Sequence, residues 1–308
     1  MTQVTLSALR QDAGRWWIRL AAIDARYLIS FLITLVLVAG ELRYSILGGY
    51  DRLVTALGCT MATEAALSRL VRGRVVNLQS AYITGISLAL LIKPQAALLW
   101  PFALGGFIAI ASKYVLQYRG RHLWNPSNFA ISLLLLVAHD NVAILSHQWG
   151  NDLGTNLVIW CFGLAIALRV GVLHVTLTYV ASFLVLAMVR NVLVGGPVLA
   201  ELAPITGPMY QLFIFFMITD PRTTAGTPRG RMAVAALVAA VETGIRLAAD
   251  YHIGVLRPLY PSPPILALAI VGPAAMWWAL YRGRSASPSH SRVHSSTPTF
   301  ETGKTSNA

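Results

Sequence analysis

Charge is scarce in this chain. Asp, Glu, Lys and Arg together make up 12% of its 308 residues, too few to clothe a water-soluble domain of that length. Cysteine is nearly missing. Cys59 and Cys161 both fall inside apolar runs, where a thiol behaves as a small hydrophobe, so neither a disulfide framework nor a cysteine cluster for zinc or iron–sulfur is expected. There is no Gly-rich phosphate loop followed by Lys and a hydroxyl, no nucleophile elbow and no His pair at metal spacing. Stand-alone soluble-enzyme chemistry is therefore excluded, and any chemistry belongs to a bound cofactor. The net charge of +12 does not mark a nucleic-acid binder, because the basic residues are dispersed among short loops and read more simply as an orientation signal. His174 is the one histidine well inside an apolar run, and no second axial ligand at similar depth accompanies it, so no haem site is expected either.

What the chain has is hydrophobicity. With 56% apolar residues and a mean hydropathy of +0.62, most of it sits in lipid. Ten apolar segments run approximately over 26–46, 53–71, 80–92, 97–117, 126–138, 155–170, 172–190, 208–219, 230–249 and 263–281, most of them near the roughly 20 residues needed to cross a bilayer. The third and eighth are short. Each covers about 12 residues, or roughly 18 Å of helix against a roughly 30 Å hydrocarbon core, so their ends must be buried in protein or lie beside a cavity. They also end alike, in Lys93-Pro94 and in Thr219-Asp220-Pro221, and each is followed by a full apolar segment and an X-Pro start of another, Asn125-Pro126 and Tyr260-Pro261. Interrupted segments at matching places in two halves are the pattern of a duplicated membrane protein with a site near the midplane.

Orientation follows from Lys and Arg. With the N-terminus inside, the inside segments carry Arg10, Arg15, Arg19, Arg26, Arg69, Arg72, Arg74, Lys113, Arg119, Arg121, Arg169, Arg222, Arg229, Arg231, Arg282, Arg284, Arg292 and Lys304, and the outside loops only Arg43, Arg52, Lys93, Arg190 and Arg257. That asymmetry predicts a multi-pass protein of the cell (inner) membrane with both termini cytoplasmic. The first run is too long for a cleaved signal and reads as an anchor. Five segments per half is an odd number, so the repeat is inverted. The expected organisation is a cytoplasmic segment over 1–25, a first repeat over 26–138, an outside loop over 139–154, a second repeat over 155–282 and a disordered cytoplasmic tail over 283–308, rich in Ser, Thr, Pro and His.

The stretch from Ser80-Ala81 through Thr84, the Pro94 break, the run from Gly106 to Lys113, the turn Trp124-Asn125-Pro126-Ser127-Asn128, and Phe215-Phe216-Met217-Ile218-Thr219-Asp220-Pro221 followed by Thr227-Pro228-Arg229-Gly230-Arg231 resemble the membrane B and D subunits of the Nqr and Rnf electron-transport complexes. The similarity spans roughly residues 75–280. It implies an all-α integral membrane fold of ten helices in an inverted five-plus-five repeat related to urea transporters, flavin cofactors, membrane partner subunits, and electron transfer coupled to Na⁺ or H⁺ movement. Members of that family carry a Ser-Gly-Ala-Thr type motif after the fifth helix, whose Thr bonds FMN through a phosphoester. Here that loop runs from Ser146 to Leu157, and only Gly154-Thr155 is similar to the motif. Thr155 is the sole candidate, and covalent FMN is not expected, which leaves non-covalent FMN or riboflavin. The late Tyr-Pro is followed by Ser262-Pro263-Pro264 in place of the family's glycine and acid, so the chain looks like a divergent stand-alone branch such as those found beside enediyne and other natural-product genes.

The candidate residues each have a plainer role. Asn125, Asp220 and Thr227 precede prolines and fit helix N-caps. Lys113, Arg119 and Arg121 beside Asn125 and Asn128, with Thr223 and Thr224 in a second loop, are suited to a flavin phosphate, an anionic partner or lipid headgroups. Asp220, Glu64 and Glu242 are ionisable groups at membrane depth and so candidates for an ion path. Arg222 offers Asp220 a local ion pair, and Arg246 offers Glu242 one at helical i, i+4 spacing. Lys93 fits an outward-snorkelling side chain. Three functions follow: a flavin-holding redox subunit, a cofactor-free transporter or channel for a small solute or ion, and a structural membrane subunit.

Overall fold

The computed structural model describes residues 25–95, 97–144, 153–220 and 223–285. Helices dominate it: α1 (Ala25–Tyr44), α2 (Tyr50–Arg72), α3 (Gln79–Leu91), α4 (Trp100–Val115), α5 (Pro126–Val137), α6 (Leu153–Val170), α7 (Leu173–Val194), α8 (Val198–Thr206), α9 (Pro208–Leu212, extended by a π turn over Phe213–Met217), α10 (Pro228–Asp250) and α11 (Pro263–Ser285). Four of them, α1, α7, α10 and α11, contain stretches long and apolar enough to cross a bilayer. Helix α8 with α9 and its π turn makes a fifth when counted as one span bent by 56°. The chain is a multi-pass membrane protein. Along α7, Leu177, Val185 and Val192 are more than half exposed, the outward apolar face a lipid-facing helix requires.

Packing is set by small residues where helices touch. A side-chain carbon on Gly85 of α3 would stand 2.7 Å from Thr60 Oγ1 and 3.1 Å from the Leu57 Cα of α2, and one on Gly106 of α4 would stand 3.2 Å from Cys59 Cβ and Thr60 Cγ2. Two glycines therefore let α3 and α4 close on the same turn of α2, as small residues do between membrane helices. In the first half α1 packs on α3, α2 on α3 and α4, and α4 on α5; in the second α6 packs on α9, α7 on α10, and α10 on α11. Across the halves α1 meets α6 and α5 meets α11.

Local signals explain the helix starts nearest the functional region. Asn125 Oδ1 accepts from the Asn128 N–H at 3.1 Å ahead of Pro126, and Thr227 Oγ1 accepts from the Gly230 N–H at 3.1 Å ahead of Pro228. Both are the N-caps their X-Pro contexts predict. Asp220 is not a cap, because the next helix begins only at Pro228.

Other departures from the sequence reading have local causes. The chain is not purely helical: β1 (Ile92–Pro94) pairs antiparallel with a distant strand over Val142–Ile144, and between them β2 (Gln117–Tyr118) and β3 (Arg121–His122) form a hairpin through Arg119 and Gly120, both at positive φ. Numbering in chain order makes the distant strand β4. Residues 117–122 are thus a tight turn instead of an open basic loop. Lys93 does not snorkel outward; its ammonium donates to the Ile46 carbonyl. Helix α5, with 12 residues, is as short as α3 with 13. Helix α8 lies between the seventh and eighth apolar segments; it starts directly after Pro197 and carries Pro204 inside it, two residues before its end at Thr206. Residues 145–152 of the outside loop and 286–308 of the tail lie outside the described residues.

Candidate functional site

A cavity of about 390 Å³ opens where the two halves meet. One polar wall is α3. Ser80, Thr84 and Ser87 recur along the helical face that lines the cavity, a spacing that puts them on one side of a helix. Thr84 Oγ1 donates to the Ser80 carbonyl at 2.8 Å and Ser87 Oγ to the Ile83 carbonyl at 2.9 Å. The facing wall is apolar, built from Phe215, Phe216 and Met217 of the π turn with Ile29 and Ile33 of α1. A π turn widens the helix by one residue per turn, a geometry common at functional sites. Phe215 reaches its place because α6 yields at Gly163, where a side-chain carbon would stand 2.3 Å from the ring. Trp160 packs edge-on behind it at 5.5 Å.

The mouth residues come from three separate parts of the chain. Lys113 lies in the last turn of α4 and is buried, with Nζ 2.9 Å from Glu64 Oε2 and 3.1 Å from Ser80 Oγ. The other carboxylate oxygen, Glu64 Oε1, accepts from the Tyr114 hydroxyl at 2.8 Å. Opposite, Asp220 Oδ2 accepts from Asn125 Nδ2 at 3.1 Å and from Thr223 Oγ1 at 3.0 Å. That carboxylate ties the start of α5 to the end of the π-helical segment across 95 residues of sequence. His122 of β3 also lines the cavity.

Of the residues singled out from sequence, Lys113, Asn125, Thr223 and Asp220 line this one cavity. Lys113 is not a loop cation, because it is enclosed at the base of α4 and paired with Glu64. Glu64 stands behind it and does not line the cavity. Asn128 is buried outside the lining, donating to the Ile265 carbonyl of α11 at 2.9 Å. Thr224 is buried and likewise outside the lining. Thr155 falls in the first turn of α6, and its side chain and the Arg222 proposed to pair with Asp220 lie outside what the structure describes. Compared with known proteins, the chain matches no family model and no curated sequence.

Glu242 lies elsewhere. Its carboxylate is fully buried, with Oε1 3.0 Å from Arg246 Nε, and it accepts hydrogen bonds from the hydroxyls of both Tyr179 and Tyr210. Arg246 also donates to the Tyr210 hydroxyl and lies over the Phe183 ring at 5.9 Å. Sequence spacing points to the Glu242–Arg246 pair but to neither tyrosine. Beside the cavity, and sharing Ile33, Ser87, Phe216 and Met217 with it, Leu90, Leu91 and Leu212 line a small apolar recess. Among the described residues no group of three or more His, Cys, Asp or Glu is arranged to hold a metal ion.

Proposed function

We propose that the chain is a membrane subunit of an electron-transport system of the Nqr and Rnf type, holding an unlinked flavin, FMN or riboflavin, in the cavity between its halves. The observation that carries this reading is convergence. Lys113, Asn125 and Thr223, whose chemistry suits a flavin phosphate, meet Asp220, an ionisable group at membrane depth, around one cavity with an aromatic wall. Phe215 and Phe216 suit a flat ring, and the hydroxyls of Ser80, Thr84 and Ser87 suit a polar chain attached to it. When bound, a flavin would supply the electron transfer; the protein's residues would bind and orient it and shield it from water.

Helix packing supports the finer architecture, an inverted repeat of ten segments. Contacts α1–α3, α2–α4 and α4–α5 recur as α6–α9, α7–α10 and α10–α11, while α1–α6 and α5–α11 each join a helix to its own counterpart in the other half, as expected of halves related by a pseudo-two-fold axis. The Lys and Arg asymmetry supports cytoplasmic termini in the cell membrane, with the Lys113 and Asp220 end of the cavity on that side.

The test is the visible spectrum of the protein purified with its membrane partners. An oxidised-flavin spectrum whose chromophore leaves the chain on denaturation, and which is unchanged in Thr155→Ala, is the expected result. A colourless, fully folded preparation rejects the proposal. The apolar recess of Leu90, Leu91 and Leu212 beside the cavity favours a second reading, a cofactor-free transporter for a small solute. Solute uptake by vesicles containing the colourless protein alone would select it.

A further inference from the structure

Two buried knots of a carboxylate, a cation and tyrosine join corresponding helices in the two halves. In the first, Glu64 with Lys113 and Tyr114 ties α2 to α4, and Lys113 reaches Ser80 at the start of α3. In the second, Glu242 with Arg246 and Tyr179 ties α10 to α7, and reaches Tyr210 at the start of α9. The short segments α3 and α9 are each held by their first turn.

The knots sit at opposite ends of the bundle. Helix α2 starts beside the Ile46 and Lys93 contact, and α10 starts at Thr227, just past the Asp220 and Thr223 mouth of the cavity. Both helices have 23 residues, and each glutamate lies about 21 Å from the start of its helix at about 1.5 Å per residue. Glu64 is therefore near the cavity mouth and Glu242 near the far end. Only the first knot touches the cavity, through Lys113 and Ser80. The second lies outside the cavity lining, with Tyr210 two residues from Leu212 of the apolar recess beside it.

We propose that the Tyr179–Glu242–Tyr210–Arg246 knot is the far-side gate of a path that begins in the cavity, and that the structure captures the state open at the Lys113 end alone. An inverted repeat has two alternative arrangements of this kind, each the mirror of the other in its two halves. A buried carboxylate held by two hydroxyls and a guanidinium is rigid while fully satisfied, and loss of one partner unbalances the whole network. The inference rests on the proposed function for the cavity as a site and for the inverted repeat, and its test measures water access without reference to flavin.

In a chain carrying Cys59→Ala and Cys161→Ala, Ser87→Cys reports the cavity and Leu212→Cys the apolar recess beside it. A membrane-impermeant maleimide applied to sealed vesicles of either orientation should label Ser87→Cys from the Lys113 side only. Adding Tyr210→Phe, which removes one hydroxyl from Glu242 and Arg246, should raise far-side labelling of Leu212→Cys about tenfold, the factor that loss of one charge-assisted hydrogen bond produces. Tyr179→Phe should act in the same direction. Unchanged far-side labelling in both variants, with Ser87→Cys still labelled normally from the Lys113 side as proof of folding, overturns the gate. A wild-type protein without flavin whose far-side labelling still rises in these variants would instead count against the redox reading and leave the gate standing.

Discussion

Trp124 gives helix α11 the hydrogen bond that Pro273 withholds. The indole Nε1–H donates at 2.9 Å to the carbonyl of Ala269, four residues before Pro273, which has no N–H to complete the helical bond. A tryptophan at the entrance to α5 thereby satisfies a carbonyl in the last helix of the other half, beside the Asn128 bond to Ile265 one turn away. The α5–α11 contact is therefore a specific polar joint within an apolar surround.

Removing that joint has a defined signature. Trp124→Phe should lower the melting temperature in detergent by the equivalent of about 1–3 kcal/mol, because the Ala269 carbonyl is left unpaired in a dry environment. Pro273→Ala supplies an N–H to the same carbonyl, so Trp124→Phe should be distinctly milder in that background. Equal losses in both backgrounds would show that the ring's packing matters and its N–H does not.

Glycine at position 85 is a contact requirement and glycine at position 58 is not. Gly85→Ala drives a methyl against Thr60 Oγ1 and the Leu57 backbone, whereas a side-chain carbon on Gly58 meets nothing within 4 Å. Thermal melts should show Gly85→Ala destabilised by about 1–3 kcal/mol. Gly58→Ala should be neutral or more stable by up to about 1 kcal/mol from helix propensity.

The Lys113–Glu64 pair predicts strong non-additivity. Lys113→Met leaves a buried carboxylate with Tyr114 as its partner, and Glu64→Gln leaves a buried ammonium beside Ser80. Each single change should cost about 3–5 kcal/mol, because breaking a buried pair strands a charge. The double variant Lys113→Met with Glu64→Gln removes both charges and should melt above either single variant. A double variant no better than the worse single one would refute the coupling.

At Asp220 the two available substitutions separate geometry from charge. Asp220→Asn keeps an oxygen acceptor for the Asn125 amide and the Thr223 hydroxyl, while Asp220→Ala leaves both donors unmatched at a loss of about 1–3 kcal/mol. Normal expression of Asp220→Asn with impaired cation-dependent electron transfer or solute uptake is the expected outcome. Full activity of the Asn variant would reduce Asp220 to a structural tie between α5 and the π-helical segment.

Much of this protein is local, and what is local is legible in its sequence. Hydropathy alone marks α7, α10 and α11, since a run long enough to span lipid needs no partner to be recognised. Asn125 and Thr227 announce their helices because a cap acts over three residues, and Glu242 with Arg246 is visible because i, i+4 is a property of one helix. The charge scarcity settles the bilayer environment for the same reason: solvent preference is a sum over residues, whatever their arrangement. Tertiary structure decided the rest. Lys113 and Glu64 are 49 residues apart and Asn125 and Asp220 are 95 apart, so nothing in their spacing could pair them. Tyr179 and Tyr210 look like ordinary apolar-run aromatics until α7 and α9 fold against α10 and point both hydroxyls at one carboxylate. A buried polar group must find its partner wherever the fold brings one, and in a membrane, where water cannot substitute, that search is resolved only when the helices have packed.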